Sequence, residues 1–93
     1  MNPQLKIILK YMLHKHYVGG KHIPENLLFK SRLKSVPKDL RKECEDEYAE
    51  LLQRGVFIRL KKRTGKRSDW HISLNPEMLA EINELVEDTY DTV

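Results

Sequence analysis

The sequence has little of what defines several classes of small protein. Its only cysteine is Cys44, so neither an internal disulfide nor a zinc site built on a cysteine pair can form. Near the N-terminus the longest aliphatic run covers residues 7–9, far below the roughly 20 apolar residues of a membrane span. Residues 1–4 lack the basic start of a signal peptide. We therefore expect a cytoplasmic protein with no disulfide scaffold, no zinc finger and no membrane-spanning helix.

Motifs for catalysis and metal binding are also missing. The chain has no glycine-rich phosphate loop, no Ser or Cys nucleophile within a known motif and no acid pair in an apolar context, so we do not expect an enzyme. His14 and His16 lie two positions apart on a helix and point in nearly opposite directions. His22 and His71 are isolated in the sequence. We predict no metal and no cofactor, with the histidines in structural or surface roles and Cys44 as an inert buried thiol.

Charge of one sign is missing from the C-terminal part of the chain. Residues 1–67 contain all 17 Lys and Arg together with seven acids, whereas residues 68–93 contain seven acids and no Lys or Arg. The two parts therefore carry +10 and −7, which together make the net charge of +3. No acid lies between Glu50 and Asp69. Such sorting predicts one surface that attracts a polyanion and another that is kept away from it.

Three segments before residue 55 have the apolar spacing of amphipathic helices, and they cover residues 3–18, 24–33 and 37–54. Gly19 and Gly55 end the first and the third, while Pro24 and Pro37 open the second and the third. A short strand is predicted at residues 21–23. The apolar side chains expected to face the core are Leu5, Ile8, Leu9, Met12 and Leu13, then Leu27, Leu28 and Leu33, then Leu40, Cys44, Tyr48, Leu51 and Leu52.

After Gly55 the spacing changes to the alternation of β-strands. The alternating apolar residues are Val56, Ile58 and Leu60 in a first run and Trp70, Ile72 and Leu74 in a second. A turn about Gly65 pairs Leu60 with Trp70, Ile58 with Ile72 and Val56 with Leu74. This register places all six side chains on one face, and a one-residue slip would break the match. We predict a hairpin over residues 56–74, with Trp70 as a core anchor rather than as a base-stacking side chain.

A fourth helix is predicted over residues 76–90. Asn75 is a good N-cap and Pro76 suits the first helical position. The apolar side chains form two adjoining stripes, which are Met78, Ile82, Leu85 and Thr89, and Leu79, Val86 and Tyr90. Together these stripes make a wider apolar surface than a helix needs when it packs only on the small core of its own chain. We therefore predict a homodimer through this C-terminal helix, the alternative being that the helix packs on the first helix of its own chain.

The order of these elements resembles that of the winged helix-turn-helix superfamily, and the small archaeal and bacterial regulators of the MarR and ArsR type are similar. The resemblance covers about residues 5–90. It depends on the segment Leu51-Leu52-Gln53-Arg54-Gly55-Val56-Phe57, which joins the third helix to the hairpin, and on the basic loop that follows. It implies a single domain over residues 1–93, α+β and mostly helical, with a three-helix core, a β-hairpin wing and a C-terminal helix.

The resemblance also implies a way of docking on DNA. Residues 37–54 would be the recognition helix, whose N-terminal part approaches the major groove. The wing loop, residues 61–67, would lie along the backbone or reach a neighbouring minor groove. The candidate DNA-binding residues are Lys38, Arg41 and Lys42 in the helix and Arg59, Lys61, Lys62, Arg63, Lys66 and Arg67 in the wing. The alternative for the wing is a solvated tip whose lysines deter edge pairing.

The recognition helix is the more ambiguous half of this interface. Its basic start is followed by five acids, Glu43, Glu45, Asp46, Glu47 and Glu50, which would repel phosphates deep in a groove. Contact through the N-terminal end alone is the interpretation we favour, and base reading by Lys42 or Gln53 stays open. The expected function is a transcriptional regulator that binds double-stranded DNA. The alternative is a protein-interaction module that uses the acidic third helix and the C-terminal helix.

Overall fold

The computed structural model describes residues 1–34, 36–64 and 67–87, without the side chains at positions 31, 64, 67 and 68. The helices in these ranges are α1 (Pro3–His14), α2 (Glu25–Leu33), α3 (Lys38–Gln53) and α4 (Leu79–Val86). The strands are β1 (Ile23–Pro24), β2 (Phe57–Thr64) and β3 (Arg67–Leu74), and a 3-10 turn (Pro76–Met78) precedes α4. The strands form one antiparallel sheet in the order β1-β3-β2. The predicted α+β class is confirmed.

Helix α1 ends four residues before the predicted boundary at residue 18. It begins as expected, because the Asn2 side chain accepts hydrogen bonds from the backbone N–H groups of Gln4 and Leu5. Beyond His14 the backbone turns to pair with the end of β3. The Leu74 N–H donates to the Tyr17 carbonyl at 2.8 Å, and the Gly19 N–H donates to the Leu74 carbonyl at 2.9 Å. These bonds to the sheet replace helical ones, so the prediction of helix over residues 15–18 is wrong.

The other helix boundaries follow local signals. Helix α3 lies within one residue of its predicted ends, and Gly55 leaves it in the left-handed region with a φ of 82°. The Asn75 side chain caps the last helical segment by accepting a hydrogen bond from the Glu77 N–H at 3.0 Å. That segment starts as the 3-10 turn before α4 begins. Residues 88–90 of the predicted helix lie outside the described residues.

The core is built around α1. Leu5, Ile8, Leu9 and Met12 are completely buried, and α1 contacts the other three helices and β3. Around it lie Leu28, Leu33, Cys44, Tyr48, Leu51, Val56, Phe57, Ile72, Leu74 and Ile82. The apolar side chains of α4 pack against this core beside α1. Homodimer formation through α4 stays a prediction. None of the helices in the described ranges is long and apolar enough to cross a membrane.

The hairpin has a different register from the predicted one. Phe57 pairs with Leu74, Arg59 with Ile72 and Lys61 with Trp70, which is a slip of one residue. The reason lies at the junction before β2. Val56 is buried but not in the strand, and its carbonyl accepts a hydrogen bond from the Asn75 N–H at 3.0 Å. The alternation in β2 therefore begins at Phe57 rather than at Val56.

This register changes which hairpin side chains face the core. Phe57, Ile72 and Leu74 are buried on one face, whereas Ile58, on the other face, is 36% exposed. Trp70 shares the core-side face but is 41% exposed, so its prediction as a core anchor is wrong. Two predicted helix anchors are exposed as well. These are Leu27, at 62%, whose neighbour Leu28 takes the buried position, and Leu40, at 44%.

Candidate nucleic-acid interface

The cations of the hairpin are divided between its two faces. Arg59, Lys61 and Arg63 follow one another at two-residue steps on the core-side face of β2. Lys62 lies on the opposite face, where its strand partner is Asp69. Lys61, Lys62 and Arg63 are all exposed. Of the other two predicted wing residues, Lys66 and the side chain of Arg67 lie outside the described part of the chain.

Arg59 has an acidic partner that is distant in sequence. Its guanidinium donates to Glu25, at the start of α2, at 2.9 Å. The other oxygen of the same carboxylate accepts a hydrogen bond from the Tyr48 hydroxyl at 2.6 Å. Burial raises the pKa of Tyr48, and its hydrogen bond to Glu25 and the charge of Glu25 raise it further, while Arg59 lowers it. The hydroxyl therefore stays a donor, and the chain Tyr48–Glu25–Arg59 fixes the base of the hairpin to the helices.

A cleft of about 620 Å³ between α2 and α3 holds further cations. Lys30 and Lys34 lie one turn apart on its α2 side, and Arg41 lies on its α3 side. Phe29 and Leu33 form its apolar lining, and Asn26 and Glu45 complete it. The Arg41 guanidinium donates to the Val36 carbonyl at 3.2 Å, while its Nε is buried and meets no acceptor among the described residues. The sequence reasoning missed Lys30 and Lys34, although their four-residue spacing indicated one helix face.

The cations of the hairpin and those of the cleft form two groups, which together we call the basic strip. It consists of Arg59, Lys61 and Arg63 on β2, Lys30 and Lys34 on or directly after α2, and Arg41 on α3. The first turn of α2 connects its two halves, because Glu25 binds Arg59 and the next residue, Asn26, lines the cleft. The predicted residues Lys38 and Lys42 are exposed near the start of α3, beside this strip.

The acids of α3 lie mainly on its other flank. Four of the six, Glu43, Asp46, Glu47 and Glu50, line a separate cleft of about 430 Å³, which we call the acidic cleft, while Asp39 is exposed in the first turn and Glu45 lines the cleft beside Arg41. Its remaining lining residues are Met1, Leu51, Arg54 and Leu85. Glu47 also holds the start of the chain, because its two carboxylate oxygens accept the Asn2 N–H at 3.1 and 3.0 Å. This contact explains an acid beside the buried face of α3.

Two histidines that are isolated in the sequence meet across β1 and β3. The Nδ1 atoms of His22 and His71 lie 2.8 Å apart, and the two rings are nearly perpendicular. Such a hydrogen bond requires one nitrogen to be unprotonated, since a protonated imidazole has no acceptor. Partial burial lowers the pKa of His71, the charges of His22 and Lys62 lower it further, and Asp69 opposes them. The described ranges contain no group of three or more His, Cys, Asp or Glu that could hold a metal ion.

We expect the free energy of unfolding to decrease as the pH falls below about 6.5, the ordinary pKa of histidine. His71 has a lower pKa in the folded state, so the unfolded chain takes up a proton first and is favoured by acid. Urea unfolding between about pH 8 and pH 5.5 measures the slope of the free energy of unfolding against pH. This range lies above that in which exposed carboxylates titrate. Replacement His71→Gln should flatten this slope, whereas His14→Gln, at the exposed end of α1, should not. Equal slopes for wild type and His71→Gln would contradict the expectation.

Cys44 lies in the core, as predicted. Burial raises the pKa of its thiol to about 11, and the carboxylates of Glu47, Glu45 and Glu43 add to the effect. The thiol is therefore protonated at neutral pH and a poor nucleophile.

Comparison with protein-family models, with curated proteins and with solved structures found no match for this chain. What the chain does must therefore be inferred from its own residues, foremost the basic strip, the acidic cleft and the exposed Trp70.

Proposed function

We propose that this chain is a winged-helix protein that binds duplex DNA through the phosphate backbone and acts as a transcriptional regulator. The observation that carries the proposal is the basic strip, which runs from the hairpin along α2 to the start of α3. The order of the elements, with β1 beside β3 and the hairpin after α3, supports the winged-helix interpretation. Cations aligned on one surface are complementary to the regular charge of a DNA backbone.

Helix α3 would approach the DNA through its N-terminal end. Lys38 and Lys42 are exposed there, and the N-terminus of a helix carries a partial positive charge that favours phosphate. Four of the six acids of α3 face the acidic cleft on the other flank, so in the first turn only Asp39 opposes the contact of Lys38, Arg41 and Lys42 with phosphate. Lys42 and Gln53 both lie on the outer face of α3, where base reading by either would take place.

A salt titration tests the proposal. Each phosphate neutralised by a cation adds about 0.9 to the slope of log association constant against log salt concentration. If each of the six cations of the basic strip neutralises one phosphate, the slope will be about −5. Fluorescence anisotropy of a labelled duplex between about 50 and 300 mM salt measures it, and duplexes of unrelated sequence should give similar values. Absence of binding at about 50 mM salt would refute DNA binding.

A second candidate function follows from the acidic cleft. Its four carboxylates line the cleft together with the apolar side chains of Met1 and Leu85, which suits a basic segment of a partner protein. Replacement of Glu43 and Glu50 by glutamine separates the candidates. If DNA binding is the function, this variant should bind duplex at least as tightly as wild type, because two negative charges are removed. A loss of DNA affinity would instead show that the acidic flank takes part in contact.

A further inference from the structure

Trp70 is placed unlike the other large side chains of its strand face. Ile72 and Leu74, on the same face of β3, are completely buried, whereas Trp70 is 41% exposed. Its strand partner is Lys61, and Arg59 lies diagonally opposite. On the core-side face of the hairpin, the aliphatic side chains Ile72 and Leu74 are thus followed by an aromatic and cationic group, Trp70 with Arg59 and Lys61.

The exposed ring is held in a defined position by the two cations. The Arg59 guanidinium carbon lies 4.2 Å from the centroid of the Trp70 ring, and the Lys61 Nζ lies 5.8 Å from it. Arg59 is in turn fixed by Glu25, whose carboxylate also accepts from Tyr48. The indole is therefore connected to the helical core through these contacts, and little freedom remains to be lost when a ligand binds.

The Arg59 guanidinium lies over one face of the Trp70 ring, so a nucleobase would stack on the other face, with the two cations close to the phosphates that flank it. A base inside a duplex already stacks on both neighbours, so an indole can lie against a base only at a duplex end or where the base is unpaired. An unpaired base can turn away from its neighbours and offer its whole face, whereas a terminal pair offers only its outer face. We propose that Trp70, with Arg59 and Lys61, forms a stacking site for an unpaired base next to duplex DNA. This inference rests on the proposed DNA binding and extends it: the protein should prefer a duplex with a single-stranded tail over a blunt duplex.

Trp70 is the only tryptophan in the chain, so its fluorescence reports on this position alone. Titration of the wild-type protein with a short oligothymidylate at low salt should quench this fluorescence saturably as a base stacks on the ring. Labelled blunt and thymidine-tailed duplexes of equal duplex length then give the preference for a tail by fluorescence anisotropy. Unchanged Trp70 fluorescence at saturating oligonucleotide, or equal affinity for the two duplexes, would overturn the inference.

Two substitutions separate stacking from simple covering of the core. Trp70→Leu keeps an apolar side chain but no ring, and it should weaken binding of the tailed duplex roughly tenfold while leaving the blunt duplex unaffected. Trp70→Phe keeps a ring and should retain most of the preference for a tail. A tail preference retained by a folded Trp70→Leu variant, as judged by circular dichroism, would refute the site. If neither variant folds, the quenching of the wild-type protein decides.

The inference and the proposed function fail in different ways. Steep salt-dependent binding of blunt duplex without a preference for a tail would overturn the stacking site and leave duplex binding in place. No binding of either duplex at low salt would overturn both.

Discussion

Replacing Lys61, Lys62 and Arg63 together by glutamine is expected to weaken binding of duplex DNA by about two orders of magnitude at roughly 0.1 M salt. All three side chains are exposed on β2, and the described residues give none of them an ion pair within 4 Å. Lys61 and Arg63 belong to the basic strip, whereas Lys62 lies on the opposite face of the hairpin. Each of the two lost phosphate contacts should lower the magnitude of the salt slope by about 0.9, so the slope should fall by nearly two. Because phosphates carry no sequence information, the loss should be the same for every duplex tested.

The matched control removes three positive charges elsewhere. Lys10, Lys15 and Lys21 lie on α1 and in the loop that follows it, and none belongs to the basic strip. Glutamine at these three positions lowers the net charge equally and should change affinity only slightly. If this control loses as much affinity as the hairpin variant, the attraction depends on overall charge and not on the hairpin. Normal binding by the hairpin variant would remove the hairpin from the interface altogether.

Replacement Ile72→Ala is expected to destabilise the fold by about 2–5 kcal/mol. Ile72 is completely buried on the central strand and pairs with both Ile23 and Arg59. A chain of 93 residues has a free energy of unfolding of only about 5–14 kcal/mol, so the loss is a large part of the total. The midpoint of urea unfolding, followed by circular dichroism, measures it.

Ile58→Ala is the control that makes this prediction sensitive to register. This substitution removes the same side-chain atoms as Ile72→Ala, but from the neighbouring strand β2. The Ile58 side chain lies on the other face of the sheet and is 36% exposed. Its cost should be about 1 kcal/mol or less. Equal losses at the two positions would support the register in which Ile58 faces Ile72, and they would place Trp70 against the core.

The parts of the fold that are determined by residues close together in the sequence could be predicted. Gly55 ends α3 because it adopts a left-handed backbone, and Asn75 caps the following segment through its own side chain. The hairpin register could not be predicted in the same way. The apolar alternation of Val56, Ile58 and Leu60 favours the wrong register, because Phe57 is followed on its own face by Arg59 and Lys61. The observed register depends on the contact between Val56 and Asn75, which no local pattern predicts.

The candidate site shows the same division. The cations of the hairpin and of α3 are visible in the sequence, and the spacing of Lys30 and Lys34 could have added them. The pairing of Arg59 with Glu25 spans 34 residues, and no local pattern predicts it. The meeting of His22 and His71 depends on the pairing of β1 with β3. The exposure of Trp70 follows from the register, so the error in the register also concealed this residue.

The central position of β3 has a consequence for how the chain folds as it is synthesised. Residues 17–24 bond to the Ile72–Leu74 end of β3, and β2 bonds along its whole length. His22 emerges from the ribosome 49 residues before its partner His71. The three N-terminal helices can therefore pack while the nascent chain is still growing, but β1 has no strand to join. Closure of the sheet is therefore a late, long-range step that must wait until β3 has been made.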